Sequence, residues 1–599
     1  MVSATSRNPP SARFTLALAI WCGLAVGLAE AATRAALLLV PGRWAFVSPH
    51  VAWMAPAFDA ALFAAAGLVL IVLGRAWPRL RSLSVAIYVF AFLGLLGPLL
   101  FVPRLHPLAG GLLAAGLATQ AARLLGRRAL LWETLVHRTT PALVAVIVLG
   151  AATVAVWPWL EERRARTALA PGPTSAPNVL LVVLDTVRAK SVSLYGYPKP
   201  TTPILEQLAS RGVVFERALA TSSWTLPSHA SMFTGRYPHE LSANWLEPLD
   251  RAFPTLAETF RDHGYLTAGF TANLLYTTRE TGLARGFLRY EDYPVSIGMT
   301  VHSAFLGRKL EQWLLGSDGH REVLAVKPGE WVTRAFLHWL DGRGERPFFA
   351  FLNYMDAHAP YVAPAPFAER FGPTRHRPPV STRRAWTPAQ IQIEVDAYDG
   401  CLAYLDQQIG QLVEELGRRG VLDRTLLVVV SDHGELFGEH RLFDHGNSLY
   451  RPLLQVPLVI VYQQRVPAGV RVTTPVTLRD LAATVVDLAS LSDTSRHPGV
   501  SLATHWTSPP GAGGASSPLL AQISKNINQD PWLPASQGDM QALVANGHYY
   551  IRNGDGREEL YDFDRDPGET RDLAATDEGQ AALAVFRRSL AALSGAGKP

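Results

Sequence analysis

Five apolar runs fill the first 160 residues, and they limit the architecture more than anything else in the chain. They are Phe14–Val40, Val51–Gly74, Leu83–Val102, a weaker Leu105–Leu125, and Pro141–Leu160. Each is long enough, or nearly so, to cross the roughly 30 Å hydrocarbon core of a bilayer as a helix. A secretory signal peptide explains the first run alone and not the four that follow. Burial inside a soluble protein fails on length and on how few charges interrupt the runs. Composition carries the same imbalance. Of 599 residues, 48% are hydrophobic and only 18% charged, and the excess lies ahead of residue 160.

Arginine placement sets the orientation. Arg7 and Arg13 precede the first run, Arg75, Arg79 and Arg81 lie in the second connection, and Arg127, Arg128 and Arg138 in the fourth. The first and third connections carry only Arg43 and Arg104. The richer set belongs in the cytoplasm, so five crossings leave the chain after Leu160 outside it. The expectation is a multi-pass protein of the inner cell membrane whose remaining domain is extracytoplasmic. Trp157 and Trp159 suit an interfacial belt at the exit. Glu30 and Arg34, one helical turn apart, are placed to pair within or near the first span. The net charge of +5 and pI of about 9.1 need no nucleic-acid partner, because much of the arginine flanks apolar segments rather than clustering on one helix or groove. The basic loop Arg375–Arg384 reads as solvated surface. Cys22 and Cys401 are too far apart in sequence to suggest a disulfide. Glu161–Pro177, charged and then rich in Ala, Pro and Ser, reads as a linker.

Beyond it the pattern changes. Asn178–Asp185 is a continuous apolar run ending in a carboxylate, the mark of a strand buried on both faces of a parallel sheet. Leu266–Asn273, Phe348–Met355, Thr425–Ser431 and Val456–Tyr462 read as further strands. Helical spacing separates them in Pro203–Gly212, Thr255–His263, Trp331–Leu340 and Ala389–Leu416. Alternation of this kind predicts a three-layer α/β/α domain over residues 178–599, preceded by an α-helical membrane domain over 1–160. A smaller C-terminal subdomain is expected from about residue 500, past a Gly/Ser/Pro-rich loop at Ser508–Pro518, with a strand pair over Leu543–Arg552.

Open α/β sheets gather ligands beyond the carboxyl ends of their strands. Three polar clusters fall there: Asp185, AspAlaHis (Asp356–His358) and SerAspHisGly (Ser431–Gly434). Asp185, Thr225, Asp432 and His433 form a donor set for one divalent cation. The carboxylates suit Mg, Ca or Mn, and the imidazole favours Mn or Zn. A cation on a threonine hydroxyl lowers its pKa and makes an alkoxide available near neutral pH, able to attack phosphorus or sulfur. Ser222, Ser223 and Ser228 are rivals to Thr225 that spacing alone does not eliminate. His229, His358 and His445 are candidates to hold the transferred group or protonate the leaving group.

At these residues the chain resembles the sulfatase branch of the alkaline phosphatase superfamily. The motifs that carry the resemblance are AsnValLeuLeuValValLeuAspThrValArg (Asn178–Arg188), SerLeuTyrGlyTyr (Ser193–Tyr197), ThrLeuProSerHisAlaSerMetPheThrGly (Thr225–Gly235), AsnTyrMetAspAlaHisAlaProTyr (Asn353–Tyr361) and SerAspHisGlyGluLeuPheGlyGluHis (Ser431–His440). GluLeuTyrAspPheAspArgAspProGlyGlu (Glu559–Glu569) is similar to the family's C-terminal signature. The resemblance implies an alkaline-phosphatase-like fold, a nucleophile at Thr225 and metal ligands Asp185, Asp432 and His433 with Thr225 completing the shell. It also implies a substrate-binding His358, and His445 at a position that binds the transferred group.

Two departures matter. Formylglycine sulfatases carry Cys or Ser at the nucleophile position, followed by x-Pro-x-Arg. Here that residue is Thr225, and His229 replaces the arginine. Thr186 stands where many members have a second acidic residue, which implies a single-metal site. Membrane-anchored envelope phosphotransferases of the superfamily, which use threonine, are similar in architecture. The expectation is therefore a metal-dependent hydrolase or phosphotransferase of phosphate esters on a membrane lipid or envelope glycan. Two alternatives remain: a sulfuric ester hydrolase without formylglycine, and a non-catalytic membrane sensor or scaffold.

Overall fold

The structure is a computed structural model. It describes residues 10–37, 48–102, 104–126, 128–172, 176–315, 327–373, 386–491, 496–507 and 518–595. The basic loop expected at Arg375–Arg384 and nearly all of Ser508–Pro518 lie outside the described residues. The chain forms two compact units, Met1–Glu161 with Tyr293–Val326, and Glu162–Asp292 with Lys327–Pro599.

The first unit is helical. Helices α1 (Ala12–Leu37), α2 (Val51–Ala76), α3 (Leu83–Leu99), α4 (Pro107–Leu125) and α5 (Ala129–Ala168) account for the five apolar runs. Four are long and apolar enough to cross a membrane, whereas α3 is a shorter apolar helix of 17 residues. At 1.5 Å per residue α3 spans about 25 Å, short of the roughly 30 Å core. α1 and α2 run antiparallel in close contact. A Cβ on Gly23 would lie 2.5 Å from the Asp59 carbonyl oxygen, and one on Gly27 would lie 2.3 Å from the Pro56 Cα. Small residues four apart are what let two apolar helices bring their backbones together.

α5 differs from expectation at both ends. It begins at Ala129 rather than Pro141 and continues to Ala168, so the segment read as linker from Glu161 is helical for eight more residues. Its Glu, Arg and Ala residues are strong helix formers, and Arg166 pairs with Glu162 one turn earlier at 2.6 Å.

In the second unit an eight-stranded mixed sheet is built from β1 (Asn178–Leu184), β2 (Val213–Phe215), β3 (Leu266–Thr271), β4 (Arg289–Glu291), β5 (Phe348–Tyr354), β6 (Thr425–Ser431), β7 (Leu458–Val461) and β8 (Val470–Val472). Their spatial order is β8-β2-β7-β6-β1-β5-β3-β4. β1, β3, β4, β5 and β6 are parallel, and β7 runs antiparallel to β6. The strand expected at Val456–Tyr462 is broken at Pro457, which has no N–H for a ladder. β1, β3, β5 and β6 are buried at every position, which is why they read as apolar runs rather than as alternation. Long helices, among them α11 (Gly329–Asp341) and α12 (Pro388–Arg418), pack on one face of the sheet, and a cluster including Leu180, Phe336, Leu402 and Val429 fills that layer. The chain thus has the alkaline-phosphatase-like α/β fold that its sequence implies.

The C-terminal strand pair is part of a four-stranded antiparallel sheet: β9 (Leu519–Ile523), β10 (Met540–Ala545), β11 (His548–Arg552) and β12 (Glu558–Asp562).

Leu180 is fully buried at the centre of β1. Leu180→Ala should cost about 2–5 kcal/mol of stability in denaturant unfolding of the detergent-solubilised chain. A loss within about 0.5 kcal/mol, typical of a surface position, would contradict this placement of the core.

Candidate active site

Parallel strands end together. Leu184 of β1 pairs with Ser431 of β6 and with Tyr354 of β5, so the next residues, Asp185 and Asp432, emerge side by side at one edge. Asn273 follows β3 and Asn353 lies near the end of β5. Both donate their amides to Asp185 Oδ2, at 2.8 Å and 3.3 Å. Oδ1 of Asp185 and Oδ2 of Asp432 are buried without a hydrogen-bond partner among the described residues. The donor atoms of Asp185, Asp432 and His433 lie within 4.8 Å of one another.

Thr225 opens helix α7 (Thr225–Thr234), and Pro227 fits its first turn, where an N–H would have no partner in the helix. The Thr225 hydroxyl lies 3.2 Å from His433 Nε2. His433 Nδ1 is 3.0 Å from the Gly434 carbonyl, which only accepts, so Nδ1 carries the proton and Nε2 presents its lone pair to the cluster. The rival hydroxyls separate here. Ser223 donates to the Ser448 carbonyl and Ser228 to the Asp432 carbonyl, while Ser222 Oγ has no partner. Among the four, only Thr225 meets a side chain of the cluster.

The three other candidate histidines divide. His229, one turn into α7, donates Nδ1–H to the Thr225 carbonyl at 2.8 Å and lies 3.5 Å from Asp432 Oδ2. It is fully buried, and its Nε2 has no partner. His358, partly exposed, and His445, buried, have ring centroids 4.9 Å apart. The His445 ring lies tilted against His433 with centroids 4.6 Å apart, and its Nδ1 is held by Glu435 at 3.1 Å. His358 Nδ1 donates to the Ala359 carbonyl. Asp356, grouped with His358 in the sequence, goes elsewhere: it accepts from the Gly329 N–H at the start of α11.

Burial shapes the charges. Burial and the adjacent Asp185 push the Asp432 carboxyl well above its ordinary range. Burial also opposes ionisation of Asp185, but His358, His433, His229 and the Asn273 amide outweigh it and hold its pKa below the usual value. Burial, and then His445, drive His433 well below the ordinary imidazole value. Two desolvated carboxylates with orphaned oxygens beside a neutral imidazole form a site that a divalent cation fits.

Thr186 does not join them. Its side chain donates to the Ala357 carbonyl and its backbone N–H to Asp432 Oδ1, which suits a single cation. It adopts a left-handed backbone (φ 60°), a strained conformation for a β-branched residue. The turn is braced by Tyr398, which donates to the Thr186 carbonyl, and by Arg188, paired with Glu439 at 2.9 Å.

Sequence reasoning left Asn273, Asn353, Glu435 and Trp224 without roles. The two asparagines and Glu435 lie at or just beyond strand ends, a signal that was available. Trp224 was not legible: its ring packs on Tyr276 and His445 because Gly446 is bare, and a Cβ there would lie 2.1 Å from the indole.

A family model described as Sulfatase matches residues 177–491, just over half of the chain. Arylsulfatase K of Bos taurus is 26% identical over 476 residues, covering 72% of this chain and 84% of that protein. Choline-sulfatase of Rhizobium meliloti is 26% identical over 466 residues, covering 70% and 87%. Among solved structures, the phosphonate monoester hydrolase of Agrobacterium radiobacter superposes with a TM-score of 0.56 at 22% identity, covering 70% of this chain and 95% of its own. The chain belongs to the sulfatase family, within the alkaline phosphatase superfamily, and is an enzyme that hydrolyses sulfuric or phosphoric esters.

Glu439 yields a pH prediction. Burial works against its charge, but Arg188 and then Lys190 lower its pKa to about 2. A depressed carboxylate pKa contributes stability that is complete above the unfolded value, about 4.3, and is lost as pH falls through the folded one. Glu439→Gln should therefore be less stable than the unaltered chain at neutral pH, with the deficit closing below about pH 4.3 in denaturant titrations. A deficit independent of pH would contradict the pairing.

Proposed function

We propose that this chain is a membrane-anchored, metal-dependent hydrolase or phosphotransferase acting on phosphate esters of an envelope lipid or glycan, with unmodified Thr225 as nucleophile. The observation that carries the reading is the Thr225 hydroxyl at the start of α7, 3.2 Å from the lone pair of His433 in the carboxylate cluster. The four long apolar helices and the arginine asymmetry support an inner-membrane anchor with the site outside the cytoplasm.

Asp185, Asp432, His433 and Thr225 would hold one divalent cation, Mn or Zn by the donor set, which lowers the hydroxyl pKa and neutralises charge on the transferring group. The protein supplies the rest. The positive end of α7 favours a developing anion at Thr225. His229 ties the Thr225 carbonyl in place and stands where formylglycine enzymes have arginine. His358 and His445 hold the transferred group, and the Glu435 carboxylate at 3.1 Å from Nδ1 orients the His445 ring to give a proton to the leaving oxygen. A formylglycine hydrate has a second hydroxyl with which to expel its ester. Threonine has one oxygen, so its ester must be displaced at the transferred atom by water or another acceptor. That requirement favours phosphorus. The names of the relatives favour sulfate esters as the second reading, and relative rates on an aryl sulfate, a phosphate monoester and a phosphodiester decide between them.

Thr225→Ala should lower turnover on the order of 10³-fold or more with folding intact, and Thr225→Ser should retain measurable activity. Unchanged turnover in the alanine variant would remove the nucleophile. Asp432→Asn should lose the bound metal, read by elemental analysis of the purified chain; full retention would contradict the ligand set.

A further inference from the structure

Between β4 and α11 the chain leaves the catalytic unit at Asp292 and re-enters at Lys327. The two ends are tied together: the buried Lys327 ammonium donates to the carbonyls of Glu291 and Asp292 at 3.1 Å and 3.2 Å. The excursion itself belongs to the helical unit and contains α9 (Ile297–Ser303) and α10 (Phe305–Leu315).

Its polar contacts are specific. The Phe305 N–H, at the start of α10, donates to Glu30 Oε2 of α1 at 2.9 Å, and the Arg34 guanidinium lies 4.9 Å over the Phe305 ring. The pair expected between Glu30 and Arg34 is thus realised around a third residue. Phe305 also packs on Phe101, just past α3, at 5.0 Å, and Ser303 lies against Met54 of α2. His302 is 2.8 Å from both Glu311 and Arg308, which locks α9 to α10. Glu30, Arg34, Met54 and Phe101 all lie at one end of the helices, and Arg13, Arg75, Arg79 and Arg81 lie at the other. By the arginine rule the excursion sits at the end away from the cytoplasm.

Among the described residues, nothing covers the other side of α10. Leu310, Trp313 and Leu314, spaced i, i+3, i+4 on one face, are 41%, 78% and 60% exposed. Val295, ahead of α9, and Ile297, its first residue, are 60% and 87% exposed. An amphipathic helix with tryptophan and leucine on its open face, continuous with apolar spans, has the composition of a segment lying in the bilayer interface.

We propose that α9 and α10 form an interfacial foot of the helical unit, with Leu310, Trp313 and Leu314 immersed in the outer leaflet. This inference rests on the membrane reading of the spans. Its occupant is lipid rather than a second copy because α10 itself adjoins the outer ends of α1 and α3, where the spans emerge, through Phe305 on Glu30 and Lys309 over the Phe101 ring.

The test uses the full chain with Cys22 and Cys401 replaced by alanine, reconstituted in phosphatidylethanolamine/phosphatidylglycerol nanodiscs. Trp313→Cys, Leu68→Cys on the open face of α2, and Ser210→Cys on the catalytic unit each carry a nitroxide. Collision with oxygen and with a water-soluble nickel chelate is then compared. A label at 313 that favours oxygen, as at 68 and unlike 210, supports the foot. A label at 313 as open to nickel as 210, while 68 remains lipid-like, overturns the foot and leaves the membrane reading intact. Protection from both reagents with label–label broadening overturns it in favour of a second copy. Nickel access at 68 itself overturns the membrane reading and the foot with it.

Discussion

Asp185 and Asp432 are carboxylates held out of water side by side, and the local structure is organised around the cost of that arrangement. Burying an ionised carboxylate is expensive unless charge or hydrogen bonds answer it. The two asparagine amides, three histidines and two backbone N–H groups around the pair answer only part of it, because one oxygen on each carboxylate has no partner. The unanswered part defines the site. It calls for a divalent cation, and the Thr225 hydroxyl lies beside it, 3.2 Å from His433 Nε2. The sheet register makes this possible, because parallel neighbours must end at one edge.

Much of this was legible in the sequence, because strands buried on both faces announce themselves. β1 and β6 emerge close to where the apolar runs placed them, and their terminal carboxylates point to the site directly. Val456–Tyr462 read as one strand because its apolar residues hide the effect of Pro457, which breaks the ladder. Thr225 could not be told from three serines by spacing, since the distinction depends on which hydroxyls the folded backbone turns toward carbonyls. Nor did Asp356 declare that it would cap a helix, because that contact joins segments 27 residues apart.

The excursion shows the same limit from the other side. Residues 293–326 lie within the catalytic stretch of sequence, and nothing in their composition marks them as partners of the first spans. Only tertiary contacts with Glu30, Met54 and Phe101 assign them there.

The most direct test of the central claim is peptide mass spectrometry of the enzyme trapped during turnover of a phosphodiester, with an aryl sulfate in parallel. The account predicts a phosphoryl group on the peptide containing Thr225, localised to that residue. A phosphoryl group on Ser222, Ser223 or Ser228, or an adduct formed only from the sulfate ester, would contradict it.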